Sequence, residues 1–374
     1  MSVTHTPART LAARLPQFPW DVLAPSAAIA KKHPDGIVDL SIGTPVDPVP
    51  DVIQRALGRA SDSPGYPQTK GTADLRAAAA SWLARRHGVQ VSPDAVLPVI
   101  GTKEIIAWLP SLLGCGPADA VCFPELAYPT YDVGARLAGT RGIATDHPDQ
   151  LDRADAGLVR LAWVNSPSNP TGRVLPESRL SELVAWARSS GAVLASDECY
   201  IDLGFDATPV SVLRPAACGG SHDGLLGVFS LSKRSNLAGY RAGFVTGDPS
   251  LVAELLEVHK HSGMIMPAPV QAAMTAALTD DAHAEQQFAR YARRRAMLRP
   301  ALEGAGWVIS HSQAGLYLWA EHPGRDCWES VRALADLGIL VAPGAFYGAA
   351  GARHVRVALT ATDEGIAAAA KRLK

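Results

Sequence analysis

The chain has 374 residues, 47% hydrophobic and 19% charged, which is enough for two domains or for one large domain with an appendage, with ample material for a core. Lysine and arginine number 35 against 36 aspartates and glutamates, a balance that argues against nucleic acid or an anionic membrane surface as a partner. No run approaches the roughly 18 apolar residues of a membrane span, and residues 1–20 lack the apolar core of a secretion signal.

The cysteines are Cys115, Cys122, Cys199, Cys218 and Cys327, an odd set with no Cys-x-x-Cys spacing. Reduced thiols in a cytoplasmic protein are therefore expected, not a disulfide framework or a zinc site. The first forty or so residues are punctuated by Pro16, Pro19, Pro25 and Pro34 and read as an irregular segment that wraps over a surface. Beyond them, apolar runs alternate with amphipathic stretches. AVLPVI (residues 95–100) reads as a buried strand, followed by a helix over EIIAWLPSLL. Further strands are expected at 120–123, 158–164, 192–196, 225–231 and 242–247, with a helix over 176–190. Strands alternating with helices imply a mostly parallel, doubly wound sheet. After about Pro267 the pattern changes. One long charged helix spans 284–303, followed by a strand at 315–320, a helix near 328–337, and strands in ILVAPG and HVRVAL. That suits a smaller α+β domain.

FSLSKRSNLAGYRAG (residues 229–243) sets Lys233 just past an apolar strand, with Ser230, Ser232 and Arg241 nearby. A lysine at a strand's end can project into a cleft and reach a carbonyl carbon. Hydroxyls and a guanidinium beside it suit a phosphate, through charge-assisted hydrogen bonds. Taken alone, the run also reads as a solvated loop. ASDECY puts Asp197 at the end of a buried strand, with Tyr200 soon after. A carboxylate there must find a partner or shift its pKa. A protonated pyridine nitrogen is one such partner; a helix N-cap is the other reading. In NSPSNPTG (residues 165–172), Asn169 precedes Pro170 and is held extended, so its amide can reach a phenolic oxygen beside Tyr200. The same run is also a plausible plain turn. Gly101, Thr102 and Lys103 open a helix, whose N-terminal amides favour an anion. The alternative is an ordinary helix start capped by Thr102. Tyr128 follows another strand, where its ring can stack on a flat ligand or simply pack. All these candidates lie beyond predicted strands, where ligands bind in open parallel sheets.

Residues 230–243 resemble the pyridoxal 5'-phosphate (PLP) attachment signature of class I/II aminotransferases, through Ser230, Lys233, Asn236, Leu237, Gly239, Arg241 and Gly243. The resemblance extends from Gly43 to Arg356. It implies an α/β protein of the PLP-dependent transferase fold type I. The large domain would be residues 46–280; residues 1–45 and 281–374 would form the small domain with the N-terminal segment. It implies Lys233 as the point of PLP attachment and the base that moves the proton. Asp197 would pair with the pyridinium, and Asn169 and Tyr200 would bind the ring oxygen. Ser230, Ser232 and Arg241, with Gly101, Thr102 and Lys103, would hold the phosphate, and Tyr128 would stack on the ring. Arg356, in HVRVAL, would grip the substrate α-carboxylate beside Gly43 and Asn169, a task that suits the planar guanidinium fork. Tyr66, in GYPQTKG, would reach the phosphate of the neighbouring subunit, which implies a homodimer with shared sites.

The stretch LPQFPWDVLAPSAAIAKKHPDGIVDLSIGTPVDPVP (residues 15–50) closely resembles N-succinyldiaminopimelate aminotransferases of actinobacteria. That resemblance implies N-succinyl-LL-2,6-diaminopimelate and 2-oxoglutarate as substrates, within lysine and diaminopimelate biosynthesis. Such a substrate carries several carboxylates, for which Lys103, Arg14 and Lys31 are candidate partners. Phe18 and Trp20 can cover the pocket or pack on the large domain. The competing expectations are an aminotransferase for aspartate, alanine or an aromatic amino acid, a PLP-dependent C–S lyase, and a ligand-sensing regulator. Too few residues precede Gly43 for the DNA-binding module such a regulator needs.

Overall fold

The structure, a computed structural model, describes residues 10–374; part of the region judged to lack a secretion signal lies outside them. Its centre is a sheet of seven strands: β1 (Val96–Ile100), β2 (Ala120–Phe123), β3 (Arg141–Ala144), β4 (Val159–Asn165), β5 (Val193–Asp197), β6 (Leu225–Ser230) and β7 (Ala242–Gly247). They lie side by side in the order β1-β7-β6-β5-β4-β2-β3. From β6 through to β3 every pairing is parallel, and β7 runs antiparallel to both of its neighbours. The inner strands are buried along nearly their whole length, which is why they read as continuous apolar runs and not as alternating ones. One apolar cluster contains Trp82, Phe229 and Phe244. Another contains Tyr131, Trp163 and Leu226. Residues that alternate along β4, β5 and β6 fall into different clusters, so the two cores cover opposite faces of the sheet.

A third core is built from residues 291–373 together with Leu23, Val38, Leu40, Tyr200 and Leu203. Its sheet has four strands: β8 (Val308–Ser310), β9 (Tyr317–Glu321), β10 (Ala342–Pro343) and β11 (His354–Ala358), in the order β10-β11-β9-β8. The helix Ala282–Gly304 runs beside it. In these two sheets the strands missing from the sequence reading, β3 and β8, are both edge strands with exposed faces, and so lack an apolar signature.

The N-terminal segment departs from expectation. It is not merely a wrap. It contains the helix Ala24–Ala30, buries Leu23 and Ala30, and pairs Val38–Asp39 in parallel with Ile339–Leu340. Its end is pinned by charge: Asp47 accepts hydrogen bonds from Arg294 at 2.6 and 2.8 Å and from Gln287 at 2.8 Å. Gln287 in turn accepts from the Asn236 amide at 3.0 Å, three residues beyond Lys233. No helix among the described residues is long and apolar enough to cross a membrane.

Candidate active site

Strand direction places the site. Since β7 is antiparallel to both β1 and β6, its start meets their ends: Ala242 pairs with Ile100, and Gly243 with Ser230. Arg241, just before β7, therefore lies beside the helix Thr102–Leu112 that follows β1 and the lysine loop that follows β6. Asp197 ends β5 opposite Asn165, which ends β4. Above this edge is a cavity of about 560 Å³.

Lys233 projects into the cavity, and its Nζ donates to the Gly43 carbonyl at 2.6 Å. Burial, with help from Arg356 and Arg241, pulls its amine below the usual lysine range. Asp197 is 5% exposed and also lines the cavity. Its carboxyl accepts from the Tyr131 hydroxyl at 2.8 Å and from the Cys199 amide at 3.1 Å. Burial still pushes its pKa up. A cationic ligand at this carboxylate would favour its charged form.

The anion cradle has a shape the sequence did not disclose. Gly101, not Thr102, is the N-cap of the helix, and no side chain caps it. The Thr102 and Lys103 amides are left for a ligand, while the Glu104 amide donates to the Gly101 carbonyl at 3.1 Å. Gly101 has φ +75°, and a Cβ there would come within 2.3 Å of the Arg241 Nη2, so only glycine admits the guanidinium. The Thr102 hydroxyl instead accepts from the Cys199 thiol at 3.2 Å. Thr102, Lys103, Ser230, Ser232 and Arg241 all line the cavity, as does Tyr128.

The remaining predicted residues form the far wall. Arg356 is 3% exposed; its Nη1 donates to the Asn169 Oδ1 at 2.9 Å and its Nη2 to the Ser41 carbonyl at 2.7 Å. Its Nε is buried and has no partner among the described residues. A buried guanidinium that lines a cavity is a seat for a carboxylate. Gly43, Asn169 and Tyr200 join it.

Some candidates lie elsewhere. Tyr66 is fully exposed, away from the cavity of its own chain. Arg14 lies against Gly139, at the end of the helix Thr130–Ala138, and Lys31 is exposed at the end of Ala24–Ala30. Neither lines the cavity. Phe18 and Trp20 do line it. Trp20 packs on Phe346, 5.7 Å between ring centroids, and so on the C-terminal core and not on the large sheet. The sequence reading missed Tyr131, Cys199 and Tyr317. Tyr131 had a signal, since it follows Tyr128 within one motif; Tyr317 was hidden inside an apolar strand.

The profile of aminotransferase class I and II matches residues 35–373. The chain belongs to that family. It is therefore a PLP-dependent aminotransferase of fold type I. This aminotransferase is 63% identical over 359 residues to the 4-dedimethylamino-4-oxo-anhydrotetracycline transaminase of Streptomyces rimosus, covering 96% of this chain and 99% of that one. It is 62% identical over 364 residues to a probable aminotransferase of Mycobacterium tuberculosis, covering 97% and 86%. Among solved structures it is similar to a probable N-succinyldiaminopimelate aminotransferase from Thermus thermophilus, with TM-score 0.86, 30% identity and coverage of 95% and 99%.

The cavity of the aminotransferase suits PLP chemically. It offers an amine of lowered basicity, a buried carboxyl for the ring nitrogen and an uncapped helix start flanked by hydroxyls and a guanidinium. Replacing Arg356 tests the far wall. Arg356→Ala is expected to raise KM for the amino donor about a hundredfold, the worth of a charge-assisted pair near 3 kcal/mol. Retention of the bound-PLP absorbance is expected. Release of PLP with an unchanged KM would show that the guanidinium serves the cofactor instead.

Proposed function

We propose that this aminotransferase moves an amino group between N-succinyl-LL-2,6-diaminopimelate and 2-oxoglutarate, giving N-succinyl-2-amino-6-oxopimelate and glutamate, in diaminopimelate and lysine biosynthesis. The observation that carries the reading is the mixture of cations and apolar side chains around one cavity. Arg356 and Lys103 both line it, as do Ile42, Ile106, Val133 and Phe18. Both amino donors have an α-carboxylate beside the reacting carbon and at least one further carboxylate beyond it. The Lys103 amine lies 5.6 Å from the centroid of the Phe18 ring, and burial and the nearby Arg241 lower its pKa. The similarity to a probable N-succinyldiaminopimelate aminotransferase supports the same substrate.

PLP supplies an electron sink that stabilises a negative charge at the substrate Cα. The chain's own residues do the rest in this reading. Lys233 would hold the cofactor at its aldehyde end and, with its amine free, would accept the substrate's Cα proton. Its lowered basicity leaves a fraction of the amine neutral for that task. Asp197, oriented by Tyr131, would hold the proton on the ring nitrogen. Asn169 and Tyr200 would bind the ring oxygen, and Tyr128 would stack on the ring. Arg356 fixes the carboxylate, so that the Cα–H bond is presented to Lys233. Tyr66 would complete the phosphate site of a second copy, in a homodimer.

A second reading has one observation of its own. The relative from Streptomyces rimosus is named for an anhydrotetracycline, and the apolar wall formed by Leu15, Pro16, Phe18 and Pro19 suits a flat, bulky amino acceptor. A half-reaction screen separates the two. The PLP form is mixed with glutamate, N-succinyl-diaminopimelate, alanine, aspartate or phenylalanine, and conversion to the amino form is followed by absorbance. Conversion by glutamate and N-succinyl-diaminopimelate at least tenfold faster than by alanine is expected. Equal rates across the panel would sink the assignment.

A further inference from the structure

Tyr317 lies on β9, where the sequence shows only apolar sheet. It is 4% exposed, yet it lines the cavity. Its hydroxyl is 3.1 Å from the Tyr200 hydroxyl, and the two rings meet edge to face. The Arg356 guanidinium carbon lies 3.9 Å from the centroid of the Tyr317 ring. A Cβ on Gly43 would fall 2.0 Å from the Tyr317 oxygen. The hydroxyl is thus pressed against the same glycine whose carbonyl accepts from Lys233. One side chain touches the carboxylate arginine, the ring-oxygen tyrosine and the backbone that holds the lysine.

We propose that Tyr317 is a positioning residue for transamination, its ring face holding Arg356 and its hydroxyl holding Tyr200, so that one side chain sets both the carboxylate seat and the hydrogen bond offered to the cofactor's ring oxygen. The proposal rests on the roles given above to Arg356 and Tyr200. Its two halves act through different atoms. A desolvated guanidinium over an aromatic face gains a cation–π contact that restricts its fork. A hydroxyl that accepts a hydrogen bond becomes a better donor to its own acceptor. Among the described residues, Tyr317 is the only side chain hydrogen-bonded to the Tyr200 hydroxyl. Burial holds the Tyr200 phenol well above its ordinary value, so it stays protonated and can donate. The chain of donation then runs from Tyr317 to Tyr200 and on to an anionic oxygen in the cavity.

The experiment uses the PLP-loaded enzyme with Tyr317→Phe and Tyr317→Leu, read in two ways. The first is the pH titration of the visible absorbance of bound PLP, with no amino acid present; its outcome is independent of the substrate assignment. The second is KM for glutamate against kcat. A hydrogen bond given to the ring oxygen favours the deprotonated state, in which that oxygen is a bare anion. Tyr317→Phe is therefore expected to move the titration midpoint to higher pH by about half a unit, with KM within about twofold of wild type because the ring face remains. Tyr317→Leu is expected to move the midpoint likewise and also to raise KM about tenfold. A Tyr317→Phe titration that superposes on wild type overturns the hydroxyl's role. A KM that is the same in both variants overturns the role of the ring. Phenylalanine keeps the packing shape, so the hydroxyl half stays testable even if the leucine variant folds poorly.

Discussion

Lys233→Ala is expected to abolish the visible absorbance that PLP acquires when linked to a lysine, and to lower turnover by about four orders of magnitude or more. Two roles vanish together, the nucleophile and the base, and the base alone is worth about 10² to 10⁴. No other group can take over: Nζ lies against Gly43 at 2.6 Å, and the remaining cations in the cavity, Lys103, Arg241 and Arg356, are assigned to anions. Removing a buried amine of lowered basicity does not strip the fold of an ion pair, so the variant should keep its melting temperature to within a few degrees. Full transamination by the alanine variant would end the mechanism.

Asp197→Asn should leave PLP attached to Lys233 and yet lower the rate of the amino-donor half-reaction about a thousandfold. The amide has the shape of the carboxyl and can still accept from the Tyr131 hydroxyl, so orientation survives and charge does not. A close pair of unit charges at an effective dielectric near 20 is worth roughly 4 kcal/mol, which corresponds to about 10³ in rate. The visible band should persist while its conversion by glutamate slows. A half-reaction within tenfold of wild type would show that the carboxylate only shapes the site. Burial raises the Asp197 pKa, and a cation bound beside it would favour the charge that this variant removes.

The residues that line the cavity at the strand ends were largely legible because they are punctuation. Asp197, Asn169, Lys233 and Arg241 interrupt or follow apolar runs, and a polar residue at the end of a buried strand is conspicuous. The parallel sheet was legible for the same reason: strands covered on both faces leave unbroken apolar runs. Tyr317 was not, since an aromatic on a buried strand looks like core until its hydroxyl is placed beside another. Gly101 as N-cap was not, since Thr102 is the better capping residue by type; the closeness of Arg241 decides the matter, and that is a tertiary fact. Arg14 and Lys31 were chosen for charge alone, and charge does not say on which side of a segment a residue falls.

The stretch from Leu15 to Trp20 lines the cavity, yet every residue assigned to the cofactor within this chain lies beyond Gly43. Part of the wall that a substrate would meet is thus written on a length of chain apart from those residues. A lineage can exchange its leading fifty residues and alter what it aminates while Lys233, Asp197 and Arg241 stay untouched. Chimeras joined within residues 44–50, just ahead of the Asp47–Arg294 clasp or including it, would measure how much of the substrate preference travels with that cassette.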